Sequence, residues 1–345
     1  MRRGLHAPAA LALVSTLLLA GCGGQKAGAP APAPASTSTA TEAVTGNPGS
    51  GLAHATIFTE PDDKRTLLAD ALRGAMKTVD LTMYEFSDHT LMHDLEYAHG
   101  NGVKVRVILE QNVYSSDAAS SSENQSAYNQ LTAADIPVHW ASSRFALTHE
   151  KTLIVDGSAA YILTLNFSAS AFSKNREFGV VDRDPIDVQA ADAVFNADWN
   201  DTPYSSTDPN LVLSPSNSRA DFASLIGRAR HSIDVYAEEV QDRSVEDALV
   251  AAEKRGVHVR LISNQGDSTN ARGLAVLEQA GVQVHLLTSP YIHAKLILVD
   301  GSLAFVGSEN ISTSSLDRNR ELGVLLSDRK AIASLESTFE ADWTQ

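Results

Sequence analysis

The chain of 345 residues carries one stretch twice. "THEKTLIVDGSAAYILTLNFS" (148–168) sets out His149, Lys151, Asp156 and Asn166, and "IHAKLILVDGSLAFVGSENIS" (292–312) sets out His293, Lys295, Asp300 and Asn310 at identical spacing. The repetition extends both ways. "TLLADALRGAMK" (66–77) has helical periodicity and leads into a strand-like "TVDLTMYEF" (78–86); "DFASLIGRARHSIDVYAEEV" (221–240) replays the pair. "NREFGVV" (175–181) matches "NRELGVL" (319–325), and "FNADW" (195–199) matches "FEADW" (339–343). Equivalent residues lie 154 apart before the motif (Thr78 to Ser232) and 144 apart from it onward (His149 to His293), so the first copy carries ten more residues in between. Such a pattern implies an internal duplication. Helices alternating with strands predict an α/β body in each half, over 53–205 and 206–345, with a largely buried sheet.

Within one copy, the apolar, β-branched run around His-x-Lys reads as a strand. Alternation along it puts His and Lys on the same face. The Asp-Gly dipeptides 156–157 and 300–301 signal a hairpin that returns Asn166 or Asn310 towards its own His and Lys. Imidazole, ammonium and carboxamide converging on one point suit a phosphodiester. Lys and Asn can stabilise charge on non-bridging oxygens, and His can act as nucleophile, base or acid near neutral pH. With two copies, one His can attack phosphorus while the other protonates the leaving oxygen from the far side.

These motifs resemble the phospholipase D superfamily. The second stretch fits its HxKxxxxDxxxxxxGSxN signature throughout, whereas the first has Leu163-Thr164 where the signature has Gly-Ser. The resemblance covers about residues 55–345. It implies two similar α/β sandwich halves related by a pseudo-twofold axis, with the site at their interface. It further implies that His149 is the nucleophile and His293 the acid, that Glu177 and Glu321 orient the histidines, and that Asp156 and Asp300 are structural. Catalytic roles are expected for His149, Lys151, Asn166, Glu177, His293, Lys295, Asn310 and Glu321, and substrate contact for Ser308 and Thr164. No metal or other cofactor is expected.

The superfamily includes phospholipases, phosphatidyl-transferring synthases, nucleases and non-catalytic members, and shared site chemistry does not choose among them. A net charge of −15 argues against a protein built mainly to grip nucleic acid. The start, "MRRGLHAPAALALVSTLLLAGC", has a secretory layout, and Leu19-Ala20-Gly21-Cys22 resembles a lipobox. Residues 1–22 are therefore expected to be a signal peptide, Cys22 the lipidation site, and 23–52 a disordered Ala/Pro/Ser/Thr-rich tether. The expectation is an exported, monomeric lipoprotein, facing the periplasm or cell exterior and held at the membrane surface by its lipid. It would hydrolyse phospholipid head groups to phosphatidic acid and alcohol through a phosphohistidine. The alternative is an exported metal-independent endonuclease acting on DNA or RNA, and a third possibility is a non-catalytic binding lipoprotein.

Other features have competing readings. His89 and His93, four apart on a helix, are more simply surface residues than metal ligands. Glu85 and Glu239 hold matching places and can line a cleft or pair with basic neighbours. Trp140, Phe145 and Tyr291 precede the motifs and are core residues or substrate contacts. "YSSDAASSSENQSAYNQ" (114–130) reads as a surface loop. Ser87 and Ser244 are candidate helix caps.

Overall fold

A computed structural model of the protein describes residues 49, 51–113 and 118–345. The expected signal peptide, Cys22 and nearly all of the tether lie outside the described residues.

The first half runs β1 (Ala55–Glu60), α1 (Thr66–Gly74), β2 (Thr78–Met83), α2 (His89–Gly100), β3 (Lys104–Leu109), α3 (Ala118–Ala133), β4 (Val138–Trp140), β5 (Lys151–Val155), β6 (Ala159–Leu163), β7 (Asn175–Asp182) and α4 (Pro185–Trp199). The second runs β8 (Leu211–Ser214), α5 (Ser218–Arg228), β9 (Ser232–Tyr236), α6 (Arg243–Lys254), β10 (His258–Asn264), α7 (Ala271–Gln279), β11 (Gln283–Leu287), β12 (Tyr291–Ile292), β13 (Leu296–Val299), β14 (Leu303–Gly307), α8 (Thr313–Asp317), β15 (Glu321–Leu326) and α9 (Arg329–Trp343). The sheets follow one plan, β4-β3-β2-β5-β6-β7-β1 and β11-β10-β9-β13-β14-β15-β8. β12 leaves its own half and pairs with β7 of the other.

Alternation along the strands divides the interior into three cores. On β5, Leu153 and Val155 face a core shared with α1, α2 and α3, while Ile154 joins a core between the sheets. The second half has its own outer core beneath α5, α6 and α7. The middle core draws on both halves, including Ile162, Phe178 and Phe195 from the first and Leu298, Leu322 and Phe339 from the second. The halves are therefore two α/β layers pressed together by their sheets, with α4 and α9 covering the join.

Each Asp-Gly hairpin has both central residues at positive φ, 55° and 59° for Asp156-Gly157 and 51° and 56° for Asp300-Gly301. That is the turn which matches strand twist and favours Asp-Gly. The Asp156 carboxylate accepts from the backbone N–H groups of Met76, Lys77 and Thr78, and Asp300 does the same for Arg230, His231 and Ser232. The motif Asp thus ties its hairpin to the start of β2 or β9, far from the histidines in role.

Several expectations are corrected. Residues 118–130 are not loop but most of helix α3, because Ala127 and Leu131, one turn apart, bury against the first core. Residues 114–117 lie outside the described set. The helix caps are Asp88 and Asp242, whose carboxylates accept from Leu91 N–H and from Ser244 and Val245 N–H; Ser87 and Ser244 are not the caps. Leu52, expected in a disordered tether, is instead buried in the middle core, and Gly49 N–H donates to the Pro209 carbonyl. Of the two His-x-Lys pairs only Lys151 lies in regular strand, since β5 begins there and β13 begins at Leu296.

Candidate active site

The histidines leave their own sheets because each is held by the opposite half. The His149 N–H donates to the Arg320 carbonyl at 2.9 Å, and the His293 N–H to the Arg176 carbonyl at 3.3 Å. Next to those arginines stand the two glutamates. Glu321 Oε2 lies 2.9 Å from His149 Nδ1, and Glu177 Oε1 lies 2.7 Å from His293 Nδ1. Each carboxylate therefore orients the imidazole of the other half, not the one that precedes it in its own repeat. Arg176 and Arg320 do not pair with these glutamates. Arg320 forks onto Asp198 at 2.8 and 2.9 Å, and Arg176 onto Asp342 at 2.7 and 3.0 Å, with Asp62 on its free arm. The matching "NADW" and "EADW" segments are the two ends of this reciprocal clamp.

His149, His293, Asn166 and Asn310 come together on the wall of one cleft of about 510 Å³. Glu85, Glu238 and Glu239, several serines, Tyr84 and Tyr291 also line it, and among the described residues no arginine does. Lys151 and Lys295 lie just beneath, buried, each ammonium donating to the carbonyl of its own histidine. Glu177 and Glu321 are fully buried behind the rings.

Burial away from water pushes the Lys151 ammonium down to about 7, the strongest of several influences on it. Burial also pushes His149 down to about 4, helped by the nearby lysines and only partly opposed by Glu321. His149 is thus a neutral imidazole near pH 7. With its Nδ1 hydrogen on Glu321, the Nε2 lone pair is available. Burial would raise Glu177 and Glu321, but the facing histidine and the lysines hold both below the usual carboxylate range. A buried cation lacking water gains most when an anionic phosphate arrives, so the lysines can act on charge through the cleft floor.

Two expected site residues are corrected. Thr164 and Ser308 are fully buried and do not reach the cleft. Thr164 Oγ1 donates to Glu177 at 2.6 Å and accepts from Phe178 N–H. Ser308 Oγ exchanges hydrogen bonds with the Leu322 backbone instead, and Ser315 Oγ takes the equivalent place on Glu321 at 2.7 Å. A Cβ at Gly307 would come within 2.4 Å of Gly323 Cα, whereas Leu163, buried in the first core, pairs opposite Gly179, where the Phe58 ring closes in.

The remaining candidates separate cleanly. Glu85 and Glu239 line the cleft; the Asn166 amide donates to Glu85, and burial raises Glu239. Tyr291 lines the cleft, while Trp140 stacks on Tyr128 and Phe145 lies under Arg320. His93 is exposed, and among the described residues no group of three His, Cys, Asp or Glu side chains is placed to hold a metal ion. Sequence reasoning passed over Tyr84 and Glu238, which touch His149 and His293 respectively. Aligning the repeats residue by residue would have shown an uncharged side chain opposite an acid there.

A family profile described as "Cardiolipin synthase, PLD-like domain" matches residues 68–199 and 222–343. The chain belongs to the phospholipase D superfamily. It is an enzyme of that superfamily's phosphodiesterase type. The cardiolipin synthase of Oceanobacillus iheyensis is 28% identical over 331 residues, covering 83% of this chain and 68% of that protein. Two solved structures share the fold. The phosphatidylserine synthase of Haemophilus influenzae superposes with a TM-score of 0.61 at 13% identity, over 83% of this chain and 86% of that one. The polyphosphate kinase of Porphyromonas gingivalis gives 0.66 at 17% identity, over 84% and 47%. Among the described residues, no helix of this superfamily member is long and apolar enough to cross a membrane.

Proposed function

We propose that the protein is a phosphatidyl-transferring phospholipase D-type enzyme, passing a phosphatidyl group from a phospholipid to an alcohol, and to water when no alcohol is bound. The observation that carries this reading is the cleft itself: two histidines, each set by a carboxylate of the opposite half, in a wall rich in Asn, Ser, Tyr and Glu and, among the described residues, without arginine. Polyhydroxyl or cationic head groups suit that lining. A nucleic-acid groove would need basic side chains along its walls. The similarity to cardiolipin synthases supports transfer to the hydroxyl of a second phospholipid, such as the glycerol of phosphatidylglycerol.

The His149 Nε2 lone pair attacks phosphorus. The bond to the head-group oxygen breaks, and that oxygen takes a proton from His293 Nε2. The acceptor hydroxyl then gives its proton to His293, its oxygen attacks phosphorus, and the P–N bond breaks back to His149. Asn166 and Asn310 donate to non-bridging oxygens as charge develops there.

The full-length protein is tested on phosphatidylglycerol vesicles and on plasmid DNA, both with EDTA. Cardiolipin with released glycerol is the expected product. Phosphatidic acid as the sole lipid product would replace transfer by hydrolysis, and DNA nicking without lipid turnover would replace both by a nuclease. Export and lipidation at Cys22 belong to the same proposal, supported by Leu19-Ala20-Gly21-Cys22. Palmitate labelling should be lost in Cys22→Ser; labelling that persists would exclude this anchor.

A further inference from the structure

Tyr84 and Glu238 hold equivalent places in the two halves. Each follows the end of its inner strand, β2 or β9, and each backbone is held by a buried asparagine. Asn124 Nδ2 donates to the Tyr84 carbonyl and its Oδ1 accepts from Phe86 N–H; Asn270 does the same for Glu238 and Val240. The backbones match while the side chains do not. The Tyr84 and His149 rings meet in a T-shaped pair, centroids 4.5 Å apart, with Lys151 Nζ 4.9 Å from the centre of the Tyr84 ring. Glu238 Oε2 lies 2.7 Å from Lys295 Nζ and 3.5 Å from His293 Nε2, and Oε1 accepts from the Tyr291 hydroxyl at 3.3 Å.

Both ring nitrogens of His293 therefore face carboxylates, Glu177 on Nδ1 and Glu238 on Nε2. Among the described residues, His149 makes one ion pair, through Nδ1. A nitrogen beside a carboxylate oxygen favours N–H, and an uncharged ring exerts no such pull. We propose that Glu238 is a positioning residue that divides the labour between the histidines, holding a proton on Nε2 of His293, while the matching place beside His149 carries the uncharged ring of Tyr84 and no second carboxylate pairs with His149 among the described residues. The groups around His293 are Glu177 from β7, Glu238 beyond β9 and Lys295 from its own segment, with Tyr291 and Glu239 beyond Glu238. In the first displacement the proton on Nε2 passes to the leaving oxygen as the P–O bond breaks, and Glu238 keeps its charge. Without this residue the site would be close to symmetric, and either histidine could attack.

The inference rests on the paired-histidine chemistry proposed above but not on the lipid substrate, so it is tested on methyl aryl phosphates whose leaving groups run from p-nitrophenol to phenol. A weak acid catalyst matters most for a poor leaving group. Glu238→Gln should lower kcat/KM roughly tenfold or more for the phenyl ester and less than about threefold for the p-nitrophenyl ester. An equal loss across the series, as a merely structural role would give, or no loss at all, overturns the proposal. In the double variant Tyr84→Glu/Glu238→Tyr, the acid-labile phosphoryl label trapped on quenching should move from the His149 peptide to the His293 peptide. A label that stays on His149 overturns it as well. Turnover of aryl diesters without turnover of phospholipid would remove the substrate reading alone.

Discussion

The two walls of the cleft are built alike and furnished differently. Each has a histidine hung from the opposite half's backbone, a glutamate behind its Nδ1 and a lysine beneath. On the first wall an aromatic ring stands beside His149; on the second a carboxylate touches both His293 and Lys295. Duplication supplies the opposed pair that in-line displacement needs. Divergence at one matched position lets the pair hold different protonation states, which a strictly symmetric site would not favour.

The sharpest way to break the comparison is to remove each histidine. His149→Ala should lower phosphodiester turnover by roughly ten-thousand-fold or more, and no choice of leaving group should restore it. His293→Ala should be as damaging with alkyl leaving groups but should recover markedly with p-nitrophenyl esters. Recovery in His149→Ala instead would reverse the assignment. The clamps come next. Asp198→Asn strands fully buried Arg320 and should destabilise the fold by about 3–5 kcal/mol, read from denaturant unfolding; Asp342→Asn should cost less, because Arg176 keeps Asp62. Equal losses would show that the exposed partner contributes nothing.

Glu321→Gln and Glu177→Gln should each lower kcat by roughly ten- to a hundredfold. Leaving-group sensitivity should rise only in Glu177→Gln, since only its partner acts as the acid. For pH, His149 is active when neutral, so kcat/KM should fall as pH drops through about 4. Lys151 acts when charged, so kcat/KM should also fall as pH rises through about 7. A bound phosphate favours the ammonium, and the alkaline limb of kcat should lie higher than that of kcat/KM. Coincident limbs would show that Lys151 does not sense the phosphate. The smallest contrast is between Thr164→Ala and Ser308→Ala. The first removes a hydrogen bond to buried Glu177 and should reduce kcat by a few-fold, about 1 kcal/mol; the second touches backbone only and should leave kcat nearly unchanged while lowering Tm.

The α/β class, the duplication and the approach of each Asn to its own His were legible from spacing, because a repeated motif with an Asp-Gly turn admits few geometries; that both copies form one site was implied by the resemblance. What was misread depended on partners remote in the chain. Residues 118–130 are rich in Ser and Asn and carry little periodic signal, yet Ala127 and Leu131 find a core to bury in. Thr164 fills the serine place of the signature and is expected at the substrate, but its hydroxyl turns inward to Glu177. Glu177 and Glu321 were expected to serve the histidines, and only the packing of the halves shows that they do so crosswise.

By itself, the sequence determined the chemistry on offer: two imidazoles, two ammoniums and two carboxamides, in two copies of one unit whose sheets must be covered. Local spacing encodes such things because strands and tight turns are short-range structures. Only the tertiary structure decided which carboxylate meets which ring, that Arg176 and Arg320 clamp the halves through Asp342 and Asp198, and that Tyr84 and Glu238 make the two histidines unequal. Those contacts join residues up to 172 apart. They exist because apolar faces of both sheets bury against each other, and no pattern within either repeat records that register.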